Sequence, residues 1–200
     1  MRTYTCHLRV GCMAMLVLAI WTSNLQANSS ARVLFDFDGR DAANKWRTVN
    51  DGVMGGVSDG RFRVTDQGFL EFYGTLSLRN NGGFASVRSK PAETRFQKDD
   101  VIVARVRGDG RRYYLNLRVP TNRTAYSYRA SFQTTAGQWQ EIRIPVRAFQ
   151  ATSYGRRIRN ASPVSVNNVN SVGFLLADKI PGEFTLEVDS IKVVSVERSQ

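Results

Sequence analysis

The chain has 200 residues, with 28 lysines and arginines against 17 acidic residues and a formal net charge of +11. Its two cysteines and its single histidine, Cys6, Cys12 and His7, all lie near the start of the chain. Without that segment the chain has no thiolate and no imidazole, which excludes cysteine or histidine nucleophiles and zinc sites built from these ligands.

The first segment, residues 1–27, has the layout of a secretory signal peptide. Two arginines precede an apolar run at residues 10–21, and a short polar stretch then ends at Ala27, a small residue suited to a cleavage site. The run is short for a membrane span, although an uncleaved anchor is the alternative. The pattern predicts a leader at residues 1–27, one domain at residues 28–200, and an exported protein, periplasmic or secreted, whose mature net charge is +9.

Arginine supplies most of the positive charge, with clusters at Arg111-Arg112 and Arg156-Arg157-Ile158-Arg159. A basic exported protein meets anionic glycans, phospholipid surfaces and acidic proteins more readily than nucleic acid. We therefore expect no nucleic-acid partner. Contact with a membrane surface through the basic clusters is one interpretation, and an ordinary solvated surface is the other.

Two-residue periodicity dominates the chain after the leader and predicts strands with one buried and one solvated face. In chain order the predicted strands cover residues 33–37, 61–65, 69–75, 85–88, 101–108, 113–119, 126–133, 139–145, 172–177, 184–189 and 191–196. Helical periodicity is nearly absent, with at most single turns at residues 41–45 and 146–149. Trp46 and Trp139 adjoin apolar strand patterns and are expected in the core. The sequence predicts an all-β fold, a single β-sandwich of jelly-roll type.

Two glycine pairs interrupt this strand pattern. Residues 50–62 have the sequence NDGVMGGVSDGRF, and residues 80–89 have the sequence NNGGFASVRS. The first lacks the Gly-Lys-Ser/Thr ending of a phosphate-binding loop, no helix pattern follows it, and its acidic residues lack the spacing of an EF-hand. Both segments are therefore predicted to be structured connections between strands, in which glycine permits positive φ or close backbone approach.

The same two segments resemble the signature of the complex I intermediate-associated protein 30 family. The matching residues are Trp46, Val49-Asn50-Asp51, Met54-Gly55-Gly56-x-Ser58, Phe72-x-Gly74-x-Leu76 and Asn81-Gly82-Gly83-Phe84-Ala85-Ser86-x-Arg88. Later matches are Asp109-Gly110, Tyr113-x-Leu115, Trp139, Ile142-x-Ile144-Pro145 and Phe184-x-Leu186-x-Val188-Asp189-x-Ile191. The resemblance covers residues 33–195. It implies a galactose-binding-like jelly-roll β-sandwich and a chaperone-like role in assembling respiratory complex I, without redox activity. The predicted export signal departs from the mitochondrial members of the family.

Candidate binding residues come from the two glycine segments and from the solvated faces of two strands expected to be neighbours. They are Asn50, Asp51, Gly55, Gly56, Ser58, Asn81, Gly82, Gly83, Phe84, Ser86, Arg88, Tyr114, Asn116, Arg118 and Arg129. The loop residues form either a partner surface or a buried polar staple between adjacent connections. The strand residues offer a tyrosine platform with arginine and amide groups, which suits a sugar ring, although ordinary solvent-facing residues have the same composition.

Three aspartates suggest a structural calcium ion. Asp36 and Asp38 lie on or near the first strand and Asp189 lies on the last, and chain ends often meet in sandwiches of this kind. Calcium requires six to eight oxygen ligands, which these carboxylates and nearby carbonyls would supply. Charge neutralisation by arginine explains the same residues without a metal.

For function, the first hypothesis is a non-enzymatic binding protein, chaperone-like or of assembly-factor type, that engages a protein client or an assembly intermediate through the glycine-loop surface. The second is a carbohydrate-binding module for acidic glycans. A glycan-acting enzyme is the weakest, because nothing in the spacing of Asp51, Asp59, Glu71 and Glu93 selects a catalytic carboxylate pair. No catalytic residue and no cofactor, apart from the calcium alternative, is predicted.

Overall fold

The computed structural model describes residues 29–123 and 125–196 of the chain. In this part of the chain the secondary structure consists of strands and short 3-10 turns, without an α-helix. Accordingly, no helix among these residues is long and apolar enough to cross a membrane. The predicted leader at residues 1–27 lies outside the described residues. The strands form two sheets packed face to face, so the predicted all-β sandwich is confirmed.

Six strands form the first sheet. They are β1 (Ser29–Asp36), β3 (Asp59–Val64), β4 (Leu70–Leu76), β6 (Val101–Gly108), β9 (Trp139–Pro145) and β13 (Gly182–Val196). Their order is β3-β4-β13-β6-β9, and β1 pairs with the second half of β13. Every strand pair is antiparallel, which permits one face of the sheet to pack on the core while the other meets solvent.

A bulge divides β13, which the sequence pattern predicts as two separate strands. The register between β13 and β6 shifts at Asp189, so one extra residue is accommodated there. Before the bulge the core residues of β13 are even-numbered, as at Leu186 and Val188, and after it they are odd-numbered, as at Ile191 and Val193. The interrupted alternation in the sequence is therefore one continuous strand whose inward face changes phase.

Seven strands form the second sheet. They are β2 (Trp46–Thr48), β5 (Ala85–Ser89), β7 (Arg112–Arg118), β8 (Ser127–Gln133), β10 (Gln150–Ser153), β11 (Arg156–Arg157) and β12 (Ser171–Leu176). Their order is β11-β10-β8-β7-β12-β5-β2. Strands β2, β10 and β11 have two to four residues, too few to show an alternation, and the sequence pattern does not predict them. The 3-10 turns are Ala43–Lys45, Asp51–Met54, Arg79–Asn81, Val146–Ala148 and Val166–Asn168.

The two tryptophans named above have different environments. Trp46 on β2 is buried, and its ring meets that of Phe35 on β1 at 5.1 Å, an edge-to-face contact between the two sheets. Trp139 is not in the core, so that expectation is wrong. It lies half-buried on the outer face of the first sheet, where the guanidinium groups of Arg105 and Arg107 sit 4.6 and 4.9 Å from its ring centre.

Candidate functional site

The two glycine segments are tied together by the carboxylate of Asp51, which is fully buried. Its Oδ1 accepts a hydrogen bond from the Ser58 backbone N–H at 2.9 Å. Its Oδ2 accepts from the Ser58 hydroxyl at 2.6 Å and from the backbone N–H groups of Gly83 and Phe84 at 2.6 and 3.2 Å. These four bonds favour the staple interpretation at this position, because the acceptor groups of Asp51 are directed inward at backbone and not at a surface.

The glycines beside Asp51 make room for its carboxylate. A Cβ on Gly56 would clash with the Asp51 carboxyl group, and a Cβ on Gly82 would lie 2.6 Å from its Oδ2. Gly55 and Gly83 have φ of 88° and 121°, a conformation that residues with a side chain rarely adopt. The signature glycines are therefore explained by close packing and backbone conformation around one buried acid.

Burial alone would raise the pKa of Asp51, since a charged carboxylate is disfavoured away from water. The hydrogen bonds from Ser58, Gly83 and Phe84 together outweigh this effect and hold the pKa below its ordinary value. Asp51 is therefore ionised at neutral pH, as an acceptor of four hydrogen bonds requires.

Asn50 makes a second connection of the same kind. Its Nδ2 donates to the Gly60 carbonyl at 2.8 Å, and its Oδ1 accepts from the Ser86 backbone N–H at 3.4 Å. The Ser86 hydroxyl in turn donates to the Val49 carbonyl. Both side chains thus have partners within the protein.

A groove of about 1260 Å³ crosses the outer face of the second sheet. Its floor is formed by outward-facing residues of β5, β12, β7 and β8, and its walls by loops around residues 53–54, 81–84, 154–156 and 178–180. We call it the arginine groove. The candidate residues that line it are Asn81, Gly82, Gly83, Phe84, Ser86, Arg88, Tyr114, Asn116, Arg118 and Arg129. The other five, Asn50, Asp51, Gly55, Gly56 and Ser58, lie outside it.

Four residues of the floor belong to a row that crosses five adjacent strands. In strand order the row is Arg129, Asn116, Gly173, Arg88 and Arg47, and the last of these, on β2, lies outside the groove. A Cβ at Gly173 would lie 2.4 Å from the Val87 carbonyl oxygen and 2.8 Å from the Arg88 Cα, so only glycine permits β12 and β5 to approach this closely here. The expectation that β7 and β8 are neighbours is confirmed, with Asn116 directly opposite Arg129.

The arginines of the floor are half-buried and close enough to repel one another. Burial, together with the nearby charges of Arg118 and Arg47, lowers the pKa of Arg88 to about 10. Burial also lowers the pKa of Arg118 and that of Arg129. The charge of Arg47 adds to the lowering at Arg118, and the charge of Arg118 adds to the lowering at Arg129. All three remain cationic at neutral pH, so the floor holds concentrated positive charge at an energetic cost.

No carboxylate neutralises these cations among residues 29–123 and 125–196. The strands of the second sheet carry seven arginines and neither aspartate nor glutamate. Of the described acids only Asp178 lines the groove, and both of its oxygens are bound to Arg111 at 2.8 and 2.9 Å. Arg111 is thus removed from the predicted Arg111-Arg112 basic cluster, whereas Arg112 stays exposed on the groove.

Four exposed apolar residues stand on the wall of the groove. Val53, Met54, Tyr154 and Ile180 expose 71%, 48%, 58% and 60% of their surface. Exposed apolar side chains beside a charged floor are typical of a surface that binds a partner. These four residues and Gly173 could not be identified from the sequence, because nothing in their local pattern places them on one face.

The carboxylates considered for catalysis each have another use. Asp51 is the staple, and Asp59, Glu71 and Glu93 form ion pairs with Arg61, Arg63 and Arg95 respectively. None of these four acids lines the arginine groove.

The three aspartates of the calcium interpretation do not form one cluster. In the described part of the chain, no three acidic, histidine or cysteine side chains are arranged to hold a metal ion. Asp189 instead lies in the β13 bulge, 3.2 Å from the Arg105 guanidinium. Asp36 and Asp38 are exposed and are not joined to it in such a group.

The chain is an antiparallel β-sandwich of two sheets, with an open groove on the outer face of the second sheet. The structure is similar to the family 11 carbohydrate-binding module from Clostridium thermocellum, solved in complex with a β-1,3-1,4-mixed-linked tetrasaccharide. The TM-score is 0.62 at 17% identity, over 84% of this chain and 98% of that one. At this identity the likeness shows the fold, a galactose-binding-like jelly roll.

The family model described as "Complex I intermediate-associated protein 30 (CIA30)" matches residues 35–188. The Mus musculus protein "Complex I intermediate-associated protein 30, mitochondrial" is 30% identical over 186 residues, which cover 82% of this chain and 56% of that protein. Its Drosophila melanogaster namesake is 28% identical over 182 residues, with coverages of 80% and 61%. The chain belongs to the complex I intermediate-associated protein 30 family. It spans little more than half the length of these relatives.

The relatives correct one prediction. The basic and apolar pattern of residues 1–27 predicted an exported protein, periplasmic or secreted, whereas the named relatives are mitochondrial. That prediction is wrong. Its physical basis was weak, because a positively charged start followed by an apolar run is a feature of composition and does not itself fix a destination.

Proposed function

We propose that this protein is a non-enzymatic binding protein of assembly-factor type, which holds a protein partner in the arginine groove while respiratory complex I is built. Membership of the complex I intermediate-associated protein 30 family supports the assembly role. One observation carries the choice of surface: the second sheet has seven arginines in its strands, without an acid to balance them.

Clustered, half-buried arginines destabilise the free protein, because each charge is partly removed from water and is repelled by its neighbours. A partner with complementary charge offsets that cost on binding, and the apolar side chains of Val53, Met54, Tyr154 and Ile180 gain burial in the same step. The glycine segments support the wall of this surface through Asp51, and the strand residues Arg88, Arg118 and Arg129 form its floor.

Site-specific photo-crosslinking tests this proposal. A photoreactive amino acid is placed at Met54 or Tyr154 on the groove wall, and at Glu141 on β9 as a matched exposed position on the opposite sheet. In cells of the source organism we expect the groove positions to crosslink to subunits of respiratory complex I and the β9 position not to do so. Equal crosslinking from both sheets, or none to complex I subunits, would contradict the proposal.

An acidic glycan is the second candidate for the same groove. The Tyr114 ring lies on the floor with the Arg129 guanidinium 5.3 Å from its centre, an arrangement that suits a sugar ring carrying a negative charge. Titration with trigalacturonate and with a neutral mixed-linked glucan tests it. Saturable binding of the acidic sugar alone, together with absent crosslinks to complex I subunits, would favour this candidate. Contact with a membrane surface through exposed Arg156 and Arg157 also stays a prediction.

A further inference from the structure

The donors of the groove floor are largely unused. Among the described residues, the guanidinium groups of Arg88 and Arg118 form neither a hydrogen bond nor an ion pair, and that of Arg129 donates only its Nε, to the Thr152 hydroxyl at 3.0 Å. A guanidinium presents five N–H donors in a planar fork that fits the two oxygens of a carboxylate. Three such forks therefore lie along the floor with most of their donors available.

An acceptor lies between them. The Oδ1 of Asn116 is buried and has no hydrogen-bond partner in the described part of the chain. A buried polar atom without a partner costs free energy, so this oxygen favours a bound group that brings an N–H or O–H. Asn116 is directly opposite Arg129 on one side and Gly173 on the other, which places it inside the arginine cluster.

The dimensions of the row suit an extended segment. Arg129 and Arg88 lie three strand spacings apart, about 14 Å between their backbones, and Arg118 is two residues from Asn116 along β7. Gly173 lines the groove without a side chain, and a narrow chain lying across the strands between Arg129 and Arg88 would pass over it. Its carboxylates would meet guanidinium groups, and its backbone N–H would meet the Asn116 oxygen.

We propose that Arg88, Arg118 and Arg129, with Asn116 among them, form a carboxylate subsite that binds an aspartate or glutamate side chain from an acidic, partly apolar peptide segment of the partner. This inference rests on the proposed function, since it assumes that the groove holds a protein. A peptide is favoured over a sugar acid because Val53, Met54 and Ile180 on the wall require apolar side chains, which a sugar acid lacks.

A matched peptide pair tests the subsite. The probe is the fluorescein-labelled peptide Gly-Leu-Glu-Glu-Leu-Gly, and its control is Gly-Leu-Gln-Gln-Leu-Gly, which has the same shape without the charge. By fluorescence anisotropy at low ionic strength, we expect the glutamate peptide to bind at least about tenfold more tightly. Arg118→Met should weaken it by about tenfold, and Arg118→Lys, which keeps the charge but loses the planar fork, by about threefold. Arg63→Met on β3 removes the same charge from the opposite sheet, at a position outside the groove, and should have little effect.

Two spectroscopic measurements show where the glutamate peptide binds and whether each variant is folded. Arginine Nε–Hε signals in nitrogen-15 NMR spectra should move for Arg88 and Arg129 on addition of the glutamate peptide, and circular dichroism confirms that each variant is folded. Equal binding of the two peptides, or equal weakening by Arg63→Met, overturns the inference. Stronger binding of trigalacturonate or inorganic phosphate than of the glutamate peptide also overturns it, in favour of a glycan or a phosphate group.

The proposed function can survive that failure. If Arg118→Met still crosslinks to complex I subunits from Met54 while the glutamate peptide does not bind, the partner occupies the groove without a carboxylate. If the folded parent protein forms no crosslinks to complex I subunits, the proposed function itself is wrong.

Discussion

The outer faces of the two sheets use arginine in opposite ways. The strands of the first sheet carry seven basic and seven acidic residues. Cross-strand pairs there include Arg63 with Glu71 and Arg107 with Glu187. The seven arginines of the second sheet form no ion pair with any described acid. Pairs of opposite charge stabilise a sheet modestly, whereas clustered like charges destabilise it. The first face therefore balances its own charges, and the second does not.

This difference teaches where a binding surface is to be sought. A solvated sheet face can satisfy its charges with its own neighbours, as the first sheet does. When a face of the same protein leaves half-buried cations without counter-charge, a partner of complementary charge would offset the lost stability, and the proposed function rests on this argument. The arginine groove is such a face.

The largest expected effect concerns the ion pair between Arg111 and Asp178 in the groove. Arg111→Met should lower the free energy of unfolding by about 3 kcal/mol, because the buried Asp178 carboxylate loses its cation and backbone carbonyls at residues 180, 182 and 183 lose a donor. Urea unfolding measures this change. Arg112→Met, the exposed neighbour, is the control and should leave stability nearly unchanged. Similar losses in both variants would show that pairing is not what separates them.

A second prediction separates the wall of the groove from its floor. Asp51→Asn should cost about 2 kcal/mol, because an amide oxygen cannot accept all four hydrogen bonds and its NH₂ faces backbone N–H groups. Chemical denaturation checks this value, with Asp59→Asn, an exposed surface change, as control. A loss no larger than that of the control would contradict the staple.

The pH dependence of the same variant has a definite sign. The pKa of Asp51 is lower in the folded protein than in the unfolded chain, so its contribution is fully present above about pH 4 and is lost as the pH falls through the folded value. The parent protein should therefore lose more stability than Asp51→Asn between about pH 6 and pH 3. Parallel losses in the two proteins would count against this role.

The smallest effects compare the two faces directly and should have opposite signs. Arg88→Met removes a half-buried charge that has no counter-charge and should stabilise the protein by about 1 kcal/mol. Arg107→Met breaks the partly exposed pair with Glu187 and should destabilise it by about 0.5 kcal/mol. Paired thermal and urea unfolding experiments measure both. A destabilised Arg88→Met protein would show that the arginine cluster supports the fold and would weaken the comparison between the faces.

Much of the fold could be predicted from local pattern. Period-two alternation predicted the long strands and the sandwich, and it placed Tyr114, Asn116, Arg118 and Arg129 on solvated faces. The resemblance of the glycine segments to their family was confirmed. Alternation depends only on nearby residues, which is why it succeeded for strands of six residues or more.

The assembly of the site could not be predicted, because it depends on contacts between distant residues. Strand β12 inserts between β5 and β7, and this order brings Arg88 to the same row as Asn116. Arg47 belongs to a three-residue strand, and Gly173 gains its meaning only from the Arg88 backbone beside it. The sequence also left two interpretations of Asp51 open, since a buried acceptor and an exposed ligand have the same loop composition.

The bulged strand β13 has a consequence for how the protein folds. It is the last strand in the described chain, yet β1, β4 and β6 all pair with it. During synthesis the β3–β4 hairpin and the more distant β6–β9 pair can form early, but the strand that joins them emerges after all the others. Strand β1 is made first, and its pairing partner in the described chain, β13, is made last. The first sheet therefore closes only once residues 182–196 have left the ribosome, and until then the exposed edges of its paired strands are open to mispairing.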